Sequence, residues 1–343
     1  MRTFYAWIWI ILVSTAAGVA YHFLLARESV IFVSAIFGLV TGVPIFAFVR
    51  GMLLPRLNAW LRSLAFPIYA PTAICLCVAS ILVSNFAAGT LFWSLGIIRG
   101  SFGEAALATP EVIAYSLAMS AALTFFVRMT DLIGHDILVD LLIGRYHRPV
   151  REDRVFLFID VAGSTRFAEK FGDLRAQEYL GAFFATVSES VHRFRGRIDD
   201  YVGDLAIVSW PIQAGVADAN CIRCVFAIRV QIADQAAYWR KHFETVPHFR
   251  AALHCGPIVT AEVGIDKHKI AYFGDTINAT ARLEGLCREL DQDFLASTDI
   301  LARVSQLPEG VSARDFGSHT VHGRQRALAI HAMAGPVIAT GAS

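Results

Sequence analysis

The first 130 residues of the chain consist mainly of long apolar runs separated by short charged connections. The runs Phe4–Leu25 and Ser29–Val49 contain no Asp, Glu, Lys or Arg. About 20 apolar residues in a helix cross the roughly 30 Å hydrocarbon core of a bilayer. The pattern therefore predicts transmembrane helices over 4–25 and 29–49, joined by a tight hairpin at Arg27 and Glu28.

The next uncharged run, Ser63–Ile98, is too long for one membrane span and too short for two. We predict a third helix over 67–87, followed by an apolar loop over 89–98 that lies at the membrane interface. A fourth helix is predicted over 111–127. Residues 1–130 thus form a predicted α-helical transmembrane domain.

Arginines are distributed unevenly between the predicted connections. On one side of a four-helix topology lie Arg2, Arg50, Arg56, Arg62, Arg128, Arg145 and Arg148, and on the other lie Arg27 and Arg99. An excess of Lys and Arg marks the cytoplasmic side of a membrane protein. We therefore expect a multi-pass protein of the cell membrane whose C-terminal part lies in the cytosol.

The sequence leaves the roles of two features in residues 1–153 undecided. Gly38 and Gly42 have the GxxxG spacing of a helix-packing face, although this spacing also arises by chance. Residues 131–153 are predicted to form a connecting helix and linker, with near-helical apolar spacing from Asp131 to Tyr146. This helix would either pair with its copy in a dimer or pack on its own domain.

From residue 154 to 334 the pattern alternates between strands and helices, and residues 335–343 form a tail. Helices are predicted over Leu174–Phe194, Ala217–Phe243 and Thr276–Leu290, the last capped by Asp275. A hairpin is predicted from Phe249–Leu253 and Ile258–Val263, with Cys255, Gly256 and Pro257 in its turn. The order of strand, helix, hairpin and helix is typical of a ferredoxin-like α+β domain.

Two carboxylates fall at predicted strand ends in this domain. A buried strand ends at Asp160 and is followed by small residues that lead into a helix, and Asp204 lies in the turn of a hairpin beside Gly203. Hard divalent cations prefer oxygen ligands, and phosphates prefer the free N–H groups at a helix start. The pattern indicates a site for metal ions and a polyphosphate.

Composition and charge narrow the class of protein further. The chain is 55% hydrophobic and only 17% charged, which is too apolar for a fully soluble protein of this length. The net charge of +1 and the lack of a basic patch with interleaved aromatics give no indication of a nucleic-acid partner. Cys221 and Cys224 form a CxxC without a second Cys or His pair, which favours ordinary buried thiols over a metal site.

The runs FIDVAGST, YVGD and FGDTINATARLE resemble, in order and spacing, the catalytic domain of class III nucleotidyl cyclases, which make cyclic AMP or cyclic GMP. The resemblance covers roughly residues 154–334. It implies a palm-type ferredoxin-like fold, a nucleoside triphosphate substrate and two divalent metal ions, Mg²⁺ or Mn²⁺. It also implies a homodimer in which each active site takes residues from both chains.

The resemblance assigns roles to individual residues. Asp160 and Asp204, with the carbonyl of Val161, would hold the metal ions. Asn278 would position the ribose, and Arg282 would stabilise the pentavalent transition state. The phosphate groups would be bound by Ala162, Gly163, Ser164, Thr165 and Arg324.

The sequence departs from the family pattern in the purine pocket. Adenylate-type members have a lysine four residues before the second metal aspartate and an aspartate or threonine eleven before the arginine, and here these positions are Asp200 and Ala271. A lysine donates to adenine N1, whereas an ionised aspartate only accepts, as does the glutamate of guanylate-type members. We favour ATP over GTP because bacterial-looking, membrane-tethered relatives mostly use ATP.

Three other functions compete with a membrane-bound adenylate cyclase. A guanylate cyclase is favoured by Asp200, and a catalytically weak nucleotide-binding or regulatory domain beneath a membrane sensor is favoured by the altered purine pocket. A transporter with a cytosolic accessory domain is disfavoured, because the predicted helices contain almost no charged residues to form an ion path.

Overall fold

The computed structural model describes residues 2–25, 30–98, 100–134, 139–140, 143–264, 269–319 and 327–335. The chain divides into two compact units, Met1–Leu138 and Val139–Ser343. The predicted link at Arg27 and Glu28 and the predicted phosphate-binding residue Arg324 lie outside the described residues.

Within its described residues the first unit consists of helices joined by short turns, with no strand. Its helices are α1 (Arg2–Leu24), α2 (Ile31–Val49), α3 (Pro55–Arg62), α4 (Phe66–Ser94), α5 (Phe102–Ala106) and α6 (Pro110–Ile133). Four segments of the described chain are long and apolar enough to cross a membrane: Trp7–Leu24, Ile31–Val49, Pro67–Ser94 and Phe102–Val127. Long helices thus occur near the four positions where helices were predicted, and their passage through a membrane stays a prediction.

The third span is longer than the sequence pattern predicted. Helix α4 has 29 residues and continues to Ser94, so most of the loop predicted over 89–98 is helical. A Cβ at Gly89 would lie 1.9 Å from the carbonyl oxygen of Ala105, so this glycine permits a close contact with α5 and does not break the helix. The chain turns instead at Gly96, where φ is 68°.

The connecting helix predicted from Asp131 to Tyr146 does not form as one helix. Helix α6 ends at Ile133, and Gly134 follows with φ 91° and ψ 139°, a conformation that ends the helical path. Residues 143–146 form turns, and residues 135–138 and 141–142 lie outside the described residues. Pairing of this segment with a second copy therefore stays a prediction.

The glycine spacing in α2 marks the contact between α1 and α2. A Cβ on Gly38 would approach the Cα of Gly18 to 2.5 Å, and a Cβ on Gly42 would approach the Ser14 side chain to 2.6 Å. These distances are too short for any larger residue. Gly18, Gly38 and Gly42 thus let two apolar helices pack closely, as small residues do between membrane helices.

The second unit is a mixed α+β domain. Its strands are β1 (Val150–Val161), β2 (Arg197–Val202), β3 (Leu205–Pro211), β4 (Phe249–Val263), β5 (Lys269–Phe273), β6 (Phe294–Ser297), β7 (Ser312–His319) and β8 (Leu328–Ala334). Its helices are α7 (Ser164–Phe171), α8 (Asp173–Arg193), α9 (Ile212–Val216), α10 (Asn220–Asp234), α11 (Ala236–Phe243), α12 (Asp275–Glu289) and α13 (Thr298–Leu301).

These strands form one sheet in the order β2-β3-β1-β4-β6-β8-β7, with β5 paired to β4. The part β4-β1-β3-β2 has the strand order of the predicted ferredoxin-like fold. All residues from Arg154 to Val161 in β1 are buried, because helices cover both faces of the sheet. Helices α8 and α10 pack Phe183 and Ile228 on one face, and α12 packs Leu283 on the other.

Two element boundaries differ from the prediction. Phe249–Val263 is one continuous strand, not a hairpin, because Gly256 and Pro257 pair with Arg154 and Asp153 of β1. A Cβ on Gly256 would lie 2.7 Å from Thr276 Oγ1, so this glycine allows α12 to approach the sheet. The helix predicted over Ala217–Phe243 is divided into a 3₁₀ turn (Ala217–Ala219), α10 and α11.

Candidate active site

Asp160 lies near the end of the central strand β1. It pairs with Leu205 on β3 and with Arg250 on β4, so both neighbouring strands fix its backbone. Its side chain is largely buried, with 7% of the residue exposed. The prediction of a carboxylate at the tip of a buried strand agrees with this position.

The β2–β3 hairpin brings Asp204 beside the end of β1. Gly203 adopts φ 63° in the turn, a conformation that favours glycine. The N–H of Val161 donates to the carbonyl oxygen of Asp204 across 3.3 Å, and the Ser164 hydroxyl donates to the Asp204 carboxylate. The two carboxylates that the sequence singled out therefore lie at one end of the sheet, with Val161 between them.

The local electrostatics disfavour negative charge at this end of the sheet. The pKa of Asp160 is raised to about 6, first by burial and then by the neighbouring carboxylates of Asp204 and Glu284, against the opposing effect of Arg288 and Arg250. Arg288 Nη2 lies 3.7 Å from Asp160 Oδ2, but this guanidinium is 71% exposed and compensates only weakly. A bound cation would relieve the remaining repulsion.

Glu284 is a third carboxylate of this cluster that sequence reasoning did not assign. Its Oε1 atom is buried and has no hydrogen-bond partner among the described residues. Burial raises the pKa of Glu284, and the charge of Asp204 adds to the shift against Arg288 and Arg250. Its position directly after Arg282 and Leu283 in the run FGDTINATARLE was the sequence signal that could have identified it as a site residue.

The residues at this end of the sheet fit a magnesium-type site. Within the described chain, no group of three or more His, Cys, Asp or Glu side chains is arranged as a complete metal cage. Mg²⁺ is usually held by one or two carboxylates, while waters and substrate phosphates complete its coordination. Asp160 and Asp204 supply such a pair.

The chain after β1 turns into the start of α7. Gly163 has φ 79°, and Ser164 is the first residue of the helix, so backbone N–H groups at this end lack intrahelical partners. The N–H of Ala162, which was predicted to bind phosphate, instead donates to the carbonyl oxygen of His248 across 2.9 Å. This contact leaves the amides of Gly163, Ser164 and Thr165 as the candidate phosphate donors.

Asn278 and Arg282 lie on α12, on a different side from the residues that face Asp160. At about 100° per residue, the Asn278–Arg282 pair and the Glu284–Arg288 pair are centred about 120° apart around the helix. Asn278 is exposed and Arg282 half-buried. Within the described part of the chain, neither side chain makes a hydrogen bond or an ion pair.

The predicted purine position contains an ion pair. Lys269 Nζ on β5 lies 2.5 Å from Asp200 Oδ2 on β2. Ala271, the other residue singled out there, lies two positions after Lys269 on the same strand. Sequence reasoning missed Lys269 because it compared only the two family positions.

A buried polar network underlies this ion pair. Tyr272 donates to Asp199 Oδ1 across 2.7 Å, and its hydroxyl accepts from Arg197 and, across 3.0 Å, from Arg154 Nη1. Burial raises the pKa of Tyr272, and the charge of Asp199 adds to the shift. Arg197 also binds Asp140 at 3.2 Å, which ties the segment before β1 to the network.

The chain matches the family model of the adenylate and guanylate cyclase catalytic domain over residues 149–328. It is 45% identical to "Adenylate cyclase 2" of Rhizobium meliloti over 97% of this chain and 92% of that protein. It is 28% identical to "Adenylate cyclase 1" of the same organism over 54% of this chain and 28% of that protein.

Solved structures share the fold of part of the chain. A bacterial light-regulated adenylyl cyclase aligns with a TM-score of 0.58 and 14% identity, covering 68% of each chain. At this identity the likeness concerns the fold alone. The sequence match over almost the whole chain is the stronger similarity.

Proposed function

Because the chain belongs to the adenylate and guanylate cyclase family, we propose that it is a membrane-bound adenylate cyclase acting as a homodimer. In the reaction the ribose 3′ oxygen of ATP forms a bond to the α-phosphorus. The bond from that phosphorus to pyrophosphate breaks, and the hydroxyl proton passes to water. The products are 3′,5′-cyclic AMP and pyrophosphate.

The observation that carries this proposal is the convergence of Asp160 and Asp204 beside the Gly163–Ser164 turn. Divalent metal ions, Mg²⁺ or Mn²⁺, bound by these carboxylates would neutralise charge on the phosphates and polarise the attacking oxygen. Ser164 holds the Asp204 carboxylate in one orientation through its hydroxyl. The amides at the start of α7 would bind the terminal phosphates.

The remaining groups of the site are proposed to come from a second copy of the chain. Asn278 would bind the ribose, and Arg282 would neutralise charge on the α-phosphate as the attacking oxygen approaches. The helical geometry supports this division, because α12 turns Glu284 and Arg288 towards its own Asp160 and leaves Asn278 and Arg282 facing elsewhere. One chain alone would thus lack a complete site.

The membrane assignment rests on the four long apolar helices of the first unit. With both termini on one side of the bilayer and the arginine excess on that side, the catalytic unit would face the cytosol, where ATP is available. The site and its substrate would then share a compartment.

A guanylate cyclase is the second candidate, and one observation favours it. Asp200 occupies the position of the adenine-binding lysine, and a carboxylate can accept hydrogen bonds from a guanine edge. ATP remains the preferred substrate in this proposal, because the chain is similar over nearly its whole length to a protein named as an adenylate cyclase.

Product analysis tests both candidates. The full chain, purified in detergent, is incubated with ATP or GTP and with Mg²⁺ or Mn²⁺, and the products are separated by chromatography. We expect cyclic AMP from the wild type and at least about a hundredfold less from Asp204→Ala, because a ligand of the charge-neutralising site is lost. Preferred formation of cyclic GMP would support the second candidate, and no cyclic product from either nucleotide would refute both.

A further inference from the structure

Asp200 stands at the sequence position where adenylate-type members carry the base-binding lysine, and Lys269 forms an ion pair with it. We propose that this pair recognises adenine, with Asp200 accepting from the exocyclic amino group and Lys269 donating to ring nitrogen N1. The inference rests on the proposed function and deepens it, since it names the groups that select the base. It assigns a role to Lys269, which lies outside the family's purine motif positions.

The backbone of the two strands explains how Lys269 can replace the residue at position 271. Side chains alternate along a strand, so Lys269 and Ala271 share one face of β5, about 6.6 Å apart at roughly 3.3 Å per residue. The four-carbon stem of a lysine is long enough to extend across this spacing. Ala271 is small and leaves that space open, and the 2.5 Å contact with Asp200 shows that the ammonium group does extend to β2.

Asp200 is held in a defined orientation. The N–H of Tyr201 donates to Asp200 Oδ1 across 3.0 Å, which leaves Oδ2 for Lys269. The pairing register of β2 with β3 shifts between Ile198 and Asp200, so Asp199 and Asp200 enter different contacts. Asp199 joins the buried network around Tyr272, and Asp200 faces the more exposed side.

The chemistry of the pair matches the edge of adenine. That edge presents an amino donor beside a ring-nitrogen acceptor, and the ion pair presents a carboxylate acceptor beside an ammonium donor. The Lys269 and Asp200 side chains are 55% and 40% exposed, so opening their contact for a base costs little. Each group would exchange its partner for a complementary atom of the base, so neither charge loses its hydrogen bonding.

The test compares nucleotides that lack one atom of this edge. Purine riboside triphosphate lacks the amino group of ATP, and 1-deaza-ATP lacks the N1 acceptor. In the full-length wild type we expect kcat/KM for each analogue to be about ten- to a hundredfold lower than for ATP, the typical effect of losing a hydrogen bond to a charged group. In Asp200→Ala the ratio of kcat/KM for ATP to kcat/KM for purine riboside triphosphate should fall close to one. In Lys269→Met the ratio of kcat/KM for ATP to kcat/KM for 1-deaza-ATP should fall close to one.

These ratios compare two substrates on one protein, so a folding defect that lowers the amount of active enzyme does not change them. Arg303→Met is the matched control, because Arg303 and Asp153 form an ion pair of 3.1 Å with 40% and 42% exposed side chains. It should keep both wild-type ratios. Wild-type ratios in Asp200→Ala and Lys269→Met would overturn the inference.

Failure of the proposed function is separable from failure of the inference. If the wild type forms no cyclic nucleotide from ATP or GTP, the enzymatic proposal fails. Binding of 3′-deoxy-ATP, which cannot cyclise, then still tests the pair. About tenfold weaker binding to Asp200→Ala and Lys269→Met than to wild type and Arg303→Met supports the pair, and equal binding to all four overturns it.

Discussion

The two halves of the proposed site differ in how far a single chain completes them. At the end of β1 and β3, Asp160 is 7% exposed and Asp204 is fixed by Ser164, so the carboxylates are positioned before any ligand arrives. On α12, Asn278 and Arg282 make no bond within the described part of the chain. One half carries unrelieved negative charge that a cation would compensate, and the other half presents unpaired groups that a second copy would bring to its substrate.

Complementation between two inactive variants is the strongest test of this division. Asp204→Ala removes a group from the first half, and Arg282→Ala removes one from the second, so each variant alone should lose about a hundredfold or more in activity. Co-expressed, the two chains should recover activity, because a mixed dimer has one site with all its groups. Random pairing gives about half mixed dimers with one competent site each, hence about a quarter of wild-type activity in a symmetric dimer.

The chains are given different affinity tags so that mixed dimers are purified and counted. Co-expression of Asp204→Ala with Asp160→Ala is the matched control, since both changes affect the same half and leave every mixed site defective. Recovery equal to this control, in preparations shown to contain mixed dimers, would mean that one chain supplies both halves.

The sequence located the two aspartates of the first half but missed Lys269 of the purine position, and the reason is physical. Asp160 follows a run of buried strand residues and Asp204 follows a turn glycine, so local pattern alone locates both. Lys269 acts through a contact between β5 and β2, whose residues are 69 positions apart, and no local pattern encodes it. Gly256 and Pro257 misled the strand prediction because their role is a close tertiary approach and not a turn.

The buried polar network beneath the Asp200–Lys269 ion pair should be sensitive to the loss of a single hydroxyl. Tyr272→Phe removes a hydroxyl that joins Arg154, Arg197 and Asp199, and Asp199 Oδ2 already lacks a hydrogen-bond partner among the described residues. We expect a loss of about 1–3 kcal/mol in the free energy of unfolding. Thermal unfolding of the full chain, followed by labelling of buried thiols, measures it.

Cys224 and Cys287 suit this measurement because both are 0% exposed in the catalytic unit and react only after it opens. Tyr238→Phe is the control, since Tyr238 is 44% exposed and lies on α11. If Tyr272→Phe and Tyr238→Phe unfold at the same temperature, the network contributes nothing to stability.

Removing the unfavourable charge of Asp160 from the first half should increase the stability of the protein while abolishing its activity. The folded-state pKa of Asp160 is raised to about 6 from the ordinary value of 3.8 for an aspartate, so the folded state disfavours the ionised carboxylate. Above pH 6 this cost is present in full, and below the unfolded pKa it vanishes because the group is protonated in both states. Asp160→Asn should therefore stabilise the metal-free chain by about 1–2 kcal/mol at pH 7.5, and by nearly nothing near pH 4.

The same thiol-labelling assay in the presence of a chelator measures this gain. Asp153→Asn serves as the control, because Asp153 is a half-exposed surface carboxylate paired with Arg303. Asp160→Asn should also be inactive, so the same substitution separates the stability cost of the Asp160 charge from its role in the reaction. A destabilised Asp160→Asn protein at pH 7.5 would contradict the charge repulsion that distinguishes the first half.

The helical first unit shows the limit of prediction from apolar run length. Apolar runs located all four long helices, because each run is long enough and has few enough charges to fit a bilayer-spanning helix. The end of α4 at Ser94 was missed, since a loop was predicted from Gly89, which instead makes room for α5. Packing between helices set that boundary, and the sequence of one apolar run does not show how its helix will pack against another.

The smallest expected effect concerns the orientation of the Asp204 carboxylate. Ser164→Ala removes the hydroxyl that donates to it, so the carboxylate can rotate away from its position beside Asp160. A lost orienting hydrogen bond of this kind is typically worth about 1 kcal/mol, which corresponds to about fivefold in kcat/KM. The Mg²⁺ concentration for half-maximal activity should rise by a similar factor, because metal binding then has to order the side chain. Ser188→Ala on α8, where the hydroxyl forms a hydrogen bond with its helix neighbour His192, should change neither quantity. An unchanged Mg²⁺ dependence in Ser164→Ala, together with normal activity, would show that the first half is held in place by the backbone of β1 and β3 alone.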